Sequence, residues 1–156
     1  MTTAQWADQD TRRIAELLRD IDICMFVTRA DGTLRGRPMS NNGKVEYDGD
    51  SWFFSYRESP KIQQIESDPR VELAYVATEK GAWVSIEGTA EVVEDDARKR
   101  ELWNDDLAAW FTEGPDDDGV VLVKVRADRI HAWADGEELV GEPGRGLQVV
   151  ESESRD

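Results

Sequence analysis

The side chains best suited to chemistry lie between residues 37 and 61. Arg37-Pro38-Met39 closes one apolar run. Ser51-Trp52-Phe53-Phe54-Ser55-Tyr56 forms the next, and Ser59-Pro60-Lys61 follows at once. A guanidinium, two hydroxyls (Ser55 and Ser59) and an ammonium are donors to an anion. A phosphate monoester needs several fixed donors, because a strongly hydrated dianion must recover its hydrogen bonds on leaving water. Arg37 supplies a planar fork and Lys61 a point charge. Ser59 followed by proline reads as a helix N-cap with Pro60 at the first helical position, where free N–H groups favour anions. The same residues also have a plain structural reading, as an exposed strand arginine and a capping serine.

Other chemistries lack their residues. His131 is the only histidine and Cys24 the only cysteine. A histidine-rich metal site, a thiolate zinc site and an internal disulfide are therefore excluded. No nucleophile-elbow pattern accompanies His131, and no pair of carboxylates stands out for acid–base hydrolysis. Cys24 lies in an apolar run and reads as a small buried hydrophobe. With 34 acidic against 19 basic residues, the formal charge is −15. That argues against a nucleic-acid backbone or an anionic membrane as the main partner. No apolar stretch reaches the ~20 residues of a membrane span, and no signal peptide opens the chain, so a cytoplasmic location is expected.

The elements that must position these donors follow from periodicity. Residues 8–19 carry Ile14, Leu17 and Leu18 at helical spacing, with Asp10 or Thr11 as N-cap. Residues 21–29 and 34–39 read as a hairpin about Ala30-Asp31-Gly32, with Pro38 marking an edge, bulge or strand end. Residues 44–47 alternate and could extend the meander. Residues 52–56 are an aromatic strand, and a helix carrying Ile62 and Ile65 runs from Ser59 to Asp68-Pro69. Residues 71–76 and 82–93 are strands joined at Glu79-Lys80-Gly81. Residues 95–111 read as a second substantial helix. Its Trp103 and Trp110, two of six tryptophans, fall nearly on one face. Such an aromatic stripe can be core, a stacking surface or a dimer seam. After an acidic loop at 113–119, residues 120–125 and 130–134 form a strand or strand pair split by Asp128. From Asp135 onward the composition suggests loose chain. Short strands with two or three helices and no strand–helix–strand series indicate one α+β domain, mainly β, as an antiparallel barrel or sandwich.

The order of these segments resembles the pyridoxamine 5′-phosphate oxidase-like superfamily, in its general stress protein 26 branch. The resemblance rests on Phe26-Val27-Thr28-Arg29, Arg37-Pro38-Met39, Trp52-Phe53-Phe54-Ser55, Ser59 and Lys61. It continues through Asp68-Pro69-Arg70-Val71, residues 84–90, Leu102-Trp103 and Ile130-His131-Ala132-Trp133. It implies an antiparallel split β-barrel over residues 1–136 with an acidic, flexible tail at 137–156. It also implies a homodimer with flavin mononucleotide (FMN) in the interface. Arg37, Pro38 and Met39 would supply phosphate and ring contacts. Ser55, with Phe54 beside it, Ser59 and Lys61 would supply phosphate donors, and Trp133 would approach the flavin of the partner subunit. Trp103 and Trp110 carry over as interface-capping residues. The family's oxidases proper place an Arg-x-His segment after the last-strand tryptophan. Here Ala134-Asp135-Gly136-Glu137-Glu138 follows Trp133, and the Arg129/His131 pair precedes it. The acidic stretch would repel a second phosphate, so vitamin B6 oxidase activity is not expected. Pro60 stands where the oxidases carry a further basic residue. A flavin-dependent oxidoreductase is the leading expectation. A non-catalytic flavin carrier and a barrel holding haem on His131 are the alternatives, and the phosphate pocket alone would equally suit FAD or a deazaflavin.

Overall fold

The computed structural model describes residues 6–41 and 46–150. Helix α1 (Asp8–Leu18) turns Ile14, Leu17 and Leu18 into the core. Its N-cap is Ala7, without a side-chain cap. Asp10, expected to cap the helix, instead accepts from the Leu147 N–H at 3.3 Å and ties the helix to the end of the chain.

Strands β1 (Ile23–Ala30) and β2 (Thr33–Ser40) form the expected hairpin, and β2 is the sheet's outer strand, where Pro38 costs no ladder bond. β3 (Asp50–Tyr56) carries the aromatic run, and α2 (Pro60–Ser67) follows. β4 (Arg70–Ala77) and β5 (Ala82–Val93) are joined by a 3-10 turn that ends at Gly81, whose φ of 62° favours glycine. Of the meander expected at residues 44–47, Lys44 and Val45 lie outside the described residues, and Glu46 and Tyr47 join no strand.

The rest departs from expectation at the expected helix over 95–111 and at the tail, and between them it decides an open alternative. The helix expected over 95–111 is a short α3 (Asp96–Leu102) and a separate 3-10 turn (Asp105–Ala109). Trp103 between them is extended, and the Asn104 side chain accepts from the Asp106 N–H at 3.1 Å. Asparagine and aspartate compete with the helix for backbone hydrogen bonds and restart the chain at a new cap. Of the strand or strand pair expected around Asp128, the single strand forms: β6 (Val120–Ala134), 15 residues long. Its register shifts opposite Glu87/Gly88, and Asp128 is held at that irregularity by Thr89 Oγ1, which donates to it at 2.6 Å. Finally, the tail expected to be loose from residue 137 continues as a hairpin, β7 (Glu137–Glu142) and β8 (Gly146–Val149), paired onto β6. Buried Leu139 and partly buried Leu147 join the core, which charge-weighted composition alone concealed.

The sheet runs β2-β1-β4-β5-β6-β7-β8, and β3 shares with β7 the edge of β6 away from β5, pairing residues 120–126 while β7 pairs residues 130–134. β2 and β3 approach each other without a ladder, so the barrel is antiparallel and split. Its interior is filled by Phe26, Phe53, Leu73, Ile86, Ile130 and their neighbours, closed by Ile62 and Ile65 of α2. A second cluster, Phe54, Leu102, Leu107, Phe111, Val120 and Leu122, packs the 3-10 turn against the back of β3. The outer sheet face carries exposed Ile23, Met25, Val76, Trp83 and Trp133, with Val76 opposite Trp83 and Trp83 opposite Trp133.

Candidate functional site

Strand alternation brings the donors together. Arg37 lies opposite Phe26 and Ser55 is two residues beyond Phe53, so both side chains fall on the barrel's inner side, at the open seam. The first turn of α2 enters the same space. A cavity of about 220 Å³ results, lined by Arg37, Pro38, Met39, Ser40, Phe54, Ser55, Tyr56, Ser59, Lys61, Leu107, Trp110 and Phe111.

Lys61 Nζ donates to Ser55 Oγ at 3.0 Å and to Ser59 Oγ at 2.8 Å. Ser55 Oγ donates in turn to the Tyr56 carbonyl at 3.0 Å. Ser59 is the N-cap of α2 and Pro60 the first helical residue, as the sequence indicates. Its hydroxyl, however, makes no cap and serves Lys61 instead. Arg37 Nη1 donates to the Phe26 carbonyl at 3.1 Å and to Thr28 Oγ1 at 2.9 Å, and Nη2 donates to Gln64 Oε1 at 2.9 Å.

The electrostatics set this cavity apart. Arg13, Arg19, Arg57, Arg126 and Arg129, among others, are paired with carboxylates. Among the described residues no carboxylate pairs with Arg37 or Lys61. Burial, and then the Arg37 charge, pull the Lys61 pKa below its ordinary value; burial alone lowers that of Arg37. Two part-buried cations in a chain of formal charge −15 therefore face one another across neutral donors.

Eight of the ten expected site residues line this cavity: Arg37, Pro38, Met39, Phe54, Ser55, Ser59, Lys61 and Trp110. Trp103 does not. It meets Phe54 edge-on at 5.7 Å and supports the wall from behind, because the chain breaks after Leu102. Trp133 lies on the outer face of β6, half-exposed and stacked on His131 at 3.9 Å, outside the cavity lining. His131 Nε2 is 2.6 Å from Glu138 Oε2. Ser40, Tyr56, Leu107 and Phe111 also line the cavity and lie outside the expected set. Tyr56 could have been found as the next residue on the Phe54 side of β3. It donates from its hydroxyl to the Trp110 carbonyl at 3.2 Å and packs on Phe111. Cys24 is buried, and burial pushes its thiol up to about 12, which suits packing and not nucleophilic attack.

A split barrel with a cationic, aromatic-walled cavity at its seam carries the donors an anion would need, and its lineage is clear from comparison. The family model for pyridoxamine 5′-phosphate oxidase-like proteins matches residues 9–142. The chain belongs to that family. It is 26% identical over 153 residues to protein bli-3 of Neurospora crassa, covering 92% of this chain and 73% of that one. It is 28% identical over 107 residues to general stress protein 26 of Bacillus subtilis, covering 66% and 76%. The solved structure of the general stress FMN/FAD binding protein from Xanthomonas citri matches with a TM-score of 0.69 at 24% identity, covering 94% of this chain and all of that one (100%). Among the described residues no helix is long and apolar enough to cross a membrane.

Proposed function

We propose that this chain is a cytoplasmic FMN-binding protein and a flavin-dependent oxidoreductase of the general stress protein type, without pyridoxamine phosphate oxidase activity. The carrying observation is the pair of cations, Arg37 and Lys61, that share one cavity with Ser55 and Ser59 and have no carboxylate partner among the described residues. Two positive charges match a phosphate monoester dianion. Arg37, Ser55, Ser59 and Lys61 would hold that phosphate. Trp110, Phe111 and Leu107 would give the rest of the molecule an apolar surface. The solved relative described as binding FMN or FAD supports a flavin as the occupant.

The flavin, when bound, supplies the hydride or electron transfer. The chain's own part is to bind, orient and control solvent. Among the described residues no carboxylate or histidine lines the cavity to act as acid or base. That fits chemistry carried by the cofactor, and equally a carrier role. The haem reading lacks support, because His131 is engaged with Glu138 and Trp133 outside the cavity.

The outer face with Ile23, Met25, Val76, Trp83 and Trp133 is the surface for a second copy of the chain, and Trp133 would reach the partner's flavin from there. The direct test is titration of the purified protein with FMN, followed by quenching of flavin fluorescence. Saturable one-to-one quenching that Arg37→Ala weakens at least about tenfold is the expected result. A protein that takes up no FMN ends the proposal. Turnover with reduced nicotinamide then separates oxidoreductase from carrier.

A further inference from the structure

We propose that Gln64 and Thr28 are the positioning pair of the anion site, and that Gln64 fixes the Arg37 guanidinium while leaving its charge available to a ligand. The inference rests on reading the cavity as a phosphate site.

The geometry is specific. Thr28 is completely buried, at 0% exposure, on the inner face of β1. Gln64 lies one helical turn beyond Lys61 on α2. Thr28 Oγ1 donates to Gln64 Oε1 at 2.5 Å, so the two oxygens stand side by side. Arg37 meets this pair with both terminal nitrogens, Nη1 to Thr28 Oγ1 and Nη2 to Gln64 Oε1, each at 2.9 Å. That is the end-on arrangement in which a guanidinium grips the two oxygens of a carboxylate. Here both oxygens are neutral.

A donor count shows what remains. Arg37 has five N–H groups. Two on Nη1 go to Phe26 O and Thr28 Oγ1, and one on Nη2 goes to Gln64. The Nε–H and the second Nη2–H are left, and these form the other edge of the fork. Three tethers on Nη1 and Nη2 thus fix the plane of the guanidinium and reserve one bidentate edge. A glutamate at residue 64 would hold the same plane and cancel the charge. A side chain without an acceptor would keep the charge and two tethers, and would only loosen the plane. The amide provides orientation and field together.

The test compares Gln64→Glu with Gln64→Met in the full chain. The probes are FMN by fluorescence quenching and inorganic phosphate by thermal shift. Gln64→Glu is expected to weaken both by roughly tenfold to a hundredfold, with an apo melting temperature no lower than wild type. Gln64→Met is expected to weaken them by no more than about fivefold, because Arg37 retains its charge and two of its three tethers. A merely structural role gives the reverse order, since methionine removes the hydrogen bonds and glutamate keeps them. Wild-type affinity in Gln64→Glu, or a larger loss in Gln64→Met, overturns the inference and leaves the FMN reading standing. Wild-type protein that takes phosphate but no FMN overturns the flavin reading, and the variant order on phosphate alone then decides this one. Wild-type protein that takes neither overturns both.

Discussion

Replacing Lys61 by methionine separates the price of the site from its use. In the unliganded protein Lys61 holds a part-buried charge beside Arg37, bonded among the described residues to the hydroxyls of Ser55 and Ser59. Methionine removes two hydrogen bonds to neutral oxygens and also removes the cost of desolvating and crowding a cation. The two effects oppose, so the apo protein should change by no more than about 1 kcal/mol, roughly 2–4 °C in Tm for a chain of this length. The liganded protein behaves differently. At an FMN concentration of about 100 times the wild-type Kd, binding stabilises the fold by about 2.7 kcal/mol, or roughly 5–10 °C. Loss of one charge-assisted contact weakens binding by up to about a hundredfold, so the variant at the same concentration sits near its own Kd. Its gain is then only about 0.4 kcal/mol, near 1 °C. Differential scanning fluorimetry with and without FMN reads both quantities. A variant with the full wild-type shift would show that Lys61 does not meet the anion. An apo Tm lowered by ten degrees or so would show that the lysine is a structural staple.

Three further outcomes concern the titration of Lys61, the outer sheet face and Lys99. Because the folded-state pKa of Lys61 lies below its ordinary value, the unfolded chain binds the extra proton in the window between them. Apo stability in urea should therefore gain a contribution from Lys61 as pH rises through that window toward ~10.5, while FMN affinity falls over the same range. Trp83→Glu combined with Val76→Arg charges the outer face opposite neighbouring strands; sedimentation should show a wild-type dimer and a monomeric variant, and a wild-type monomer at micromolar concentration removes the shared-face proposal. Lys99, 2% exposed, donates to the Asp117 and Val120 carbonyls at 2.8 Å each; Lys99→Met removes both bonds, leaving the Asp117 carbonyl its bond from the Val120 N–H at 3.1 Å, and should cost about 2–4 kcal/mol in urea denaturation, with a loss under about 1 kcal/mol refuting its role as a staple.

The sequence disclosed the site where chemistry and local order coincide. The guanidinium, hydroxyls and ammonium were readable because strand alternation and a proline-marked helix start fix where those side chains go within a few residues. Ser59 shows the boundary of that logic. Its position as N-cap was legible, but not the diversion of its hydroxyl to Lys61, which depends on a third group, Ser55, arriving from another strand. The hairpin at residues 137–149 was hidden for a related reason. Glutamate and glycine dominate its composition, and its strands are held by pairing to β6 and by Leu139 and Leu147 reaching the core. β-structure of that kind is set by neighbours more than by intrinsic preference.

The helix that did not form is the most instructive departure, because the break makes the wall of the site. A continuous helix over 95–111 would place Trp103 and Trp110 on one face. Asn104 and the two aspartates after it instead start a new turn, capped by Asn104 itself. The chain then folds back so that Leu107 and Phe111 pack with Phe54, while Trp110 stands at the cavity rim, 52% exposed. Two fixtures hold this wall from outside the turn. The Tyr56 hydroxyl binds the Trp110 carbonyl, and Lys99 anchors the acidic loop that follows. The cationic side and the aromatic side of the cavity are thus joined through β3, with Ser55 facing the cations and Phe54 and Tyr56 facing the turn. Period-two alternation along one strand sorts polar recognition from apolar recognition, and a shift of a single residue in its register would exchange them.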